Sequence, residues 1–244
     1  MRKVGDYWVP RSDMRWGHNR KHTLKSFGEG RRGTQIHHLE GALAHLRTQG
    51  GVAIDAGANV GAYTRLLAER FESVHAFELG GEVVACLARN VAEWGVGDRV
   101  VVHACAVSDR RESVGASGPE GGRSISLRVT PGGPIAAMPL DGLGLADGTA
   151  PLTFLKLDVE GYEEKALHGA EATITAHRPL VMMEVDREHA ERYGDGWAAH
   201  DWLCERGYRV IDKLGKRHLD WVYAHATTHG DLADLGREAL PPAS

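Results

Sequence analysis

From about residue 34 onward, short apolar runs alternate with stretches whose apolar residues recur every three or four positions. The first pattern predicts buried strands and the second predicts amphipathic helices. Ile36, Leu39, Leu43 and Leu46 share one face of a helix over residues 36–49, which Gly50-Gly51 stops. Val52-Ala53-Ile54 reads as a short buried strand, leading through a glycine-rich turn into a helix over about residues 60–70. Val74-His75-Ala76-Phe77 is the next strand, and Gly80-Gly81 opens a helix with Val83, Val84, Leu87, Ala88 and Val91 at helical spacing. Residues 100–107 are apolar almost throughout, which predicts a central strand covered on both faces. After a Gly/Pro-rich stretch at 109–151, whose one clear strand is 124–129, the alternation resumes. It gives strands at 154–157, 180–185, 208–211 and 221–224, with helices at 162–177 and 197–206. No internal repeat or heptad run interrupts it. Strand and helix in turn predict an α/β fold, a mostly parallel sheet with helices on both faces.

Composition narrows the class. Apolar residues make up 42% and charged residues 25%, values that exclude a disordered chain. No apolar run is long enough to span a membrane, and the first residues lack the apolar region of a secretory signal. Cys86, Cys105 and Cys204 are odd in number and widely spaced, as in a reduced, cytoplasmic protein without a disulfide framework. The net charge of −4 is unevenly spread: residues 1–32 carry nine Lys/Arg against three acids, leaving −10 on the other 212 residues. Tyr7, Trp8, Trp16, His18, His22 and Phe27 interleave with these cations, a composition that suits an anionic partner such as nucleic acid. A basic flap lying on the acidic body of its own domain is the preferred reading, because +6 over such a length is no dense patch.

The segment Ile54-Asp55-Ala56-Gly57-Ala58-Asn59-Val60-Gly61 carries the candidate chemistry. Gly57 permits a backbone conformation closed to side chains, and Gly61 permits close approach of helix and strand. The acid at the strand tip would repel a pyrophosphate and suits an ammonium group. Glu78 closes the second strand, where an acid accepts both hydroxyls of a ribose. An adenosine ligand carrying an amino acid, S-adenosylmethionine, meets both requirements. A plain α/β turn with two solvated acids is the competing reading, and the combination of three features disfavours it.

These residues resemble the FkbM family of S-adenosylmethionine-dependent methyltransferases. Residues 54–61 are similar to its first motif, Ala76-Phe77-Glu78 to its second-strand acid, and Ala106-Val107-Ser108-Asp109 to the segment after its third strand. Leu155-Lys156-Leu157-Asp158-Val159-Glu160-Gly161-Tyr162-Glu163 is similar to its most specific motif. The resemblance runs over about residues 36–224 and implies a seven-stranded Rossmann-like class I methyltransferase fold. It divides the chain into a basic arm (1–33), a methyltransferase domain (34–227, with 109–151 as a variable insertion) and a partly disordered tail (228–244). It implies O-methylation of a sugar or another small or glycosylated metabolite. Asp55, Gly57, Ala58, Asn59 and Gly61 would surround the methionine part of the cofactor, Glu78 and Leu79 the ribose, and Ala106, Val107 and Ser108 the adenine. Asp158 would face the methyl-bearing end. The chain departs from the family at Leu79-Gly80-Gly81, where proline is expected after the acid.

Methyl transfer to oxygen needs the nucleophile held in line and its proton removed. Asp158, Glu160 and Glu184 stand at the carboxyl ends of strands, where open α/β sheets bind ligands, and are the catalytic candidates. Glu160 and Glu163 have a second reading, as acids stabilising a helix N-terminus, and Lys156 reads as a structural ion-pair partner. Asp158 with Glu184 would also suit a divalent metal, but nothing in the sequence requires one, and no metal site is assigned. His200 and Cys204 have ligand spacing yet make only two ligands. Two other functions compete: a catalytically silent adenosine-binding module with nucleic-acid contacts, and a nicotinamide-dependent oxidoreductase. The latter needs G-x-G-x-x-G, which this turn lacks.

Overall fold

The structure is a computed structural model that describes residues 1–11, 34–48, 50–118, 127–215 and 219–230. The chain opens with an antiparallel hairpin of β1 (Arg2–Val4) and β2 (Tyr7–Val9). Helix α1 (Thr34–Leu43) buries Ile36, Leu39 and Leu43 and ends earlier than its periodicity predicts. The amides of His45 and Leu46 bond three residues back instead of four, which tightens the last turn. Strand β3 (Val52–Ala56) and helix α2 (Ala62–Leu67) flank the glycine-rich turn. Strand β4 (Ser73–Phe77), helix α3 (Gly81–Glu93) and strand β5 (Val100–His103) follow.

The apolar run 100–107 is not one central strand. β5 forms the edge of the main sheet, with Val101 47% exposed. The chain then leaves that sheet, and β6 (Ala106–Val107) pairs with a strand of a second one. An unbroken apolar run cannot tell one buried strand from two short ones serving two sheets. The second sheet fills the stretch read as irregular, with β7 (Glu112–Ser117), β8 (Arg128–Pro131) and β9 (Ile135–Met138). Its order is β6-β9-β7-β8. Of the predicted strand 124–129, residues 124–126 lie outside the described residues, and Arg128 and Val129 belong to β8.

Strand β10 (Leu152–Leu157) returns to the main sheet. The predicted helix 162–177 is two helices, α4 (Glu163–His168) and α5 (Glu171–His177). Gly169 passes so close to the backbone carbonyl of Ser108 that no Cβ fits. The Asp141 carboxylate then restarts the helix by accepting from the amides of Ala172 and Thr173 at 3.0 and 2.9 Å. Strand β11 (Leu180–Glu184), the four-residue helix α6 (Arg187–Ala190), helix α7 (Ala198–Glu205) and strands β12 (Tyr208–Leu214) and β13 (Asp220–His225) complete the order.

The main sheet has seven strands in the order β12-β13-β11-β10-β3-β4-β5, parallel except for the pairings of β13. Leu39, Leu66, Leu67, Val83 and Leu87 of α1–α3 pack on one face. Leu167, Ile174, Trp202 and Leu203 of α4, α5 and α7 pack on the other. The chain runs outward one way from β3 and the other way from β10. Their carboxyl ends are therefore the point where strand order reverses and open sheets bind ligands. The hairpin closes on α3: Trp8 donates its amide to Asn90 Oδ1 at 2.6 Å, and Asn90 donates back to Trp8 at 3.0 Å. The remainder of the basic arm, from residue 12, and the tail from residue 231 lie outside the described residues.

Candidate active site

Asp55 on β3 and Lys156 on β10 are register partners in adjacent parallel strands, so both side chains rise from the same face. Asp55 is fully buried and accepts from the Thr64 hydroxyl at 2.7 Å. The Lys156 ammonium lies 3.3 Å from Asp55 and 3.5 Å from Asp158. It donates to the carbonyls of Ala56 and Gly57 at 3.2 and 2.8 Å. Burial alone would lower its pKa, but the carboxylates of Asp158 and Asp55 hold it above the ordinary lysine value. Three N–H donors facing four acceptors leave nothing for a ligand. With both acids ionised the trio keeps one net negative charge. The carboxylate that presents it is Asp158, whose side chain is 41% exposed.

The same network governs the turn. Gly57 has φ +80°, and a Cβ there would run into the backbone carbonyl of Asp158. Its glycine requirement thus comes from the approach of two strand tips. The amides of Gly57 and Ala58 both donate to the Phe77 carbonyl, at 3.0 and 2.9 Å. Asn59 takes the left-handed conformation at φ +51°, which its short polar side chain tolerates. Gly61 is also left-handed, and a Cβ would lie 2.6 Å from Leu87. The close approach it permits is to helix α3 and not to the strand.

Glu78 stands beyond β4 on the other flank of the turn. Its Oε1 accepts from the amides of Leu79 and Gly80 at 2.9 Å each, and its Oε2 from the Asn59 amide at 3.0 Å. Burial raises its pKa, and those amides counter the rise. The carboxylate is thereby aimed and fixed, and Oε2, with one donor, keeps acceptor capacity for a sugar hydroxyl. The fit to S-adenosylmethionine is a ribose acceptor on one side and an anionic carboxylate, Asp158, on the other. Ala106, Val107 and Ser108 are buried where the second sheet begins, with the Ser108 hydroxyl held by Glu112 at 2.7 Å. Asp55 lies behind Lys156, so its charge reaches the mouth only through that ammonium.

The acids on the far side of Asp158 differ among themselves. Glu163 is buried and accepts from the amides of Val159 and Gly161 at 2.9 and 3.3 Å. It is the acid that closes this loop, and burial pushes its pKa up to about 7. Glu160 turns away from that role: its backbone is left-handed at φ +59°, and its carboxylate lies 3.3 Å from His189 Nδ1. Glu184, at the tip of β11, lies 3.9 Å from the same nitrogen, and its pKa is pushed up to about 8 by burial and by Asp158. Asp220 on β13 is the register partner of Glu184 and pairs with His38 at 2.8 Å. Among the described residues no three His, Cys, Asp or Glu side chains are arranged to hold a metal ion.

Three residues of this mouth, Tyr63, Asp220 and His189, escape sequence reading. Tyr63 lies with Lys156 over its ring at 5.5 Å, and burial and the surrounding acids, Asp220 and Asp158 foremost, hold its phenol well above the ordinary value. Its only sequence signal is its place two residues after Gly61. The β11–β13 register sets Asp220 opposite Glu184, where it meets His38 of α1, and the short helix α6 places His189; neither position leaves a periodic pattern. His200 is structural, bonded to the Tyr223 hydroxyl at 3.0 Å with Cys204 3.5 Å away.

No curated protein matches the chain by sequence. In structure it is similar to an FkbM methyltransferase of Methylobacillus flagellatus KT, with 19% identity and a TM-score of 0.50, over 72% of this chain and 44% of that one. The chain thus spans less than half the length of that protein. A precorrin 8W decarboxylase of Methanobacterium thermoautotrophicum aligns over 92% of this chain and 99% of that one, at 15% identity and a TM-score of 0.49. A Streptococcus mutans protein crystallised with SAH aligns over 77% and 94%, at 11% identity and a TM-score of 0.48. The sequence profile of the methyltransferase FkbM domain matches residues 55–210, from the Asp55 strand tip to β12. The chain belongs to the FkbM family of S-adenosylmethionine-dependent methyltransferases.

Proposed function

We propose that this methyltransferase acts on a hydroxyl oxygen of a sugar or another small or glycosylated acceptor, in the cytoplasm and without nucleic acid or membrane as partner. The observation that carries the reading is Asp158, an exposed carboxylate at a strand tip backed by a saturated ammonium. An alcohol gives up its proton only as the new bond forms, so a carboxylate within reach of it is the group that oxygen transfer needs. When bound, the cofactor supplies an electrophilic methyl group on a sulfonium. Glu78 holds the ribose, which sets the direction of that methyl. Asp158 orients the acceptor hydroxyl and removes its proton. Tyr63, its phenol kept neutral by burial and then by its acidic neighbours, lines the mouth beside Lys156. The buried Asp55–Lys156 pair keeps the two strand tips in place.

The test is a screen with radiolabelled S-adenosylmethionine over sugars, glycosides and other alcohols, with amines and RNA as controls. Label on a hydroxyl is the expected result. Label on an amine or on RNA, with none on any alcohol, would overturn the reading.

A further inference from the structure

Three acids converge on the His189 imidazole at the mouth. Its Nδ1 lies 3.3 Å from Glu160 Oε2, 3.9 Å from Glu184 Oε2 and 3.9 Å from Asp186 Oδ2. These acids come from three different places: the loop after β10, the tip of β11 and the N-cap of α6. The backbone repeats the contact, because Gly161 has φ +101° and lies directly against the His189 carbonyl, where a Cβ would not fit. Glu160 meanwhile takes a left-handed backbone, which costs a non-glycine residue strain, in the conformation that turns its carboxylate to this imidazole. Asp158 and Glu163 add their charge to Glu184 from β10 and α4, and Asp220 faces it across the β11–β13 register. Lys156, the nearby lysine, is committed to Asp55, Asp158 and two carbonyls. Among the described residues His189 is therefore the cation placed beside Glu184.

We propose that His189 is a positioning residue for methyl transfer: it pins Glu160 and Glu184 beside Asp158 and, as imidazolium, keeps Glu184 able to take up the proton that leaves the acceptor. In that step the oxygen–methyl bond forms as the sulfonium carbon–sulfur bond breaks. The hydroxyl proton passes by way of Asp158 to Glu184, and the bonding pair stays on sulfur in neutral S-adenosylhomocysteine. The neighbouring acids raise the affinity of His189 for its proton, Glu184 foremost, in keeping with this arrangement. The inference rests on the hydroxyl-methylation reading above, but its test does not need the acceptor.

The experiment is a pH titration of the histidine ring resonances in isotope-labelled full-length protein with S-adenosylhomocysteine present, His189 being assigned by its loss in His189→Gln. The wild-type ring should titrate above the ordinary value of about 6.5. Glu184→Gln and Glu160→Gln should each lower the midpoint, Glu184→Gln by about one pH unit, since each removes a neighbouring charge. A wild-type midpoint at or below 6.5, or midpoints unmoved in both variants, would overturn the proposal. With an acceptor from the screen, His189→Gln should move the rising limb of the pH–rate profile to higher pH. A uniform loss of rate with the limb in place would reduce His189 to a structural residue. Absence of any hydroxyl acceptor, with the ring titration as described, would instead defeat the proposed function alone.

Discussion

The two flanks of the sheet's mouth are built on opposite terms. On the side of β10, β3 and β4 the buried charges have fixed partners: Lys156 between Asp55 and Asp158, Glu78 on three backbone amides. On the β11–β13 side three acids, Glu160, Glu184 and Asp186, gather around one imidazole, and Asp220 pairs with another. A matched network costs no reorganisation when a ligand arrives, which suits a site that must hold one fixed molecule. On the other flank burial and the Asp158 charge push the pKa of Glu184 up to about 8, which suits the side where a proton has to be accepted. Under the proposed function, cofactor holding falls to one flank and acceptor chemistry to the other.

The largest effect should come from breaking the matched flank. Lys156→Met leaves Asp55 buried and ionised without its cation, a loss of about 3–5 kcal/mol. For a chain of this size the melting point should drop by roughly 6–20 °C. A drop of a degree or two in thermal denaturation would mean that the pair does not hold the strand tips. Asp158→Asn, on the boundary between the flanks, should leave the melting point nearly unchanged and slow methyl transfer by about 10²–10⁴-fold. Wild-type turnover in that variant would remove Asp158 from the chemistry.

The smallest effect separates Glu163 from the catalytic acids. Its pKa is raised on folding, from about 4.5 to about 7, so between those values the folded state binds more protons than the unfolded one. Stability must then fall as pH rises through this window. Glu163→Gln keeps an acceptor for the amides of Val159 and Gly161 and removes the ionisation. It should flatten that part of the stability–pH curve, measured by urea denaturation at pH 4.5, 6 and 7.5. A slope equal to that of the wild type would show that Glu163 is not the titrating group.

The matched flank was the legible one. Asp55, Gly57, Glu78, Lys156 and Asp158 all lie within a few residues of a strand end, and a motif in consecutive residues records that arrangement directly. On the other flank Glu160 and Glu184 can be picked out as acids at strand ends, but their partners cannot. His189 rides on a four-residue helix, and Asp220 is set opposite Glu184 by an antiparallel register that no local pattern encodes. Glu160 and Glu163 look alike in sequence. They differ because the left-handed backbone at Glu160 sends one carboxylate to His189 and leaves the other under the loop. The run 100–107 fails for a related reason, since hydrophobicity marks burial without saying in which sheet.

Calorimetric titration of S-adenosylhomocysteine into wild type, Glu78→Ala and Asp158→Asn tests the division most directly. Wild type should bind. Glu78→Ala should lose about 1.5–3 kcal/mol for each charge-assisted bond to the ribose, at least a tenfold weaker affinity. Asp158→Asn should bind nearly as wild type, because the product carries no sulfonium charge for that carboxylate to face. Equal losses in the two variants, or full affinity in Glu78→Ala, would contradict the separation of a cofactor flank from an acceptor flank.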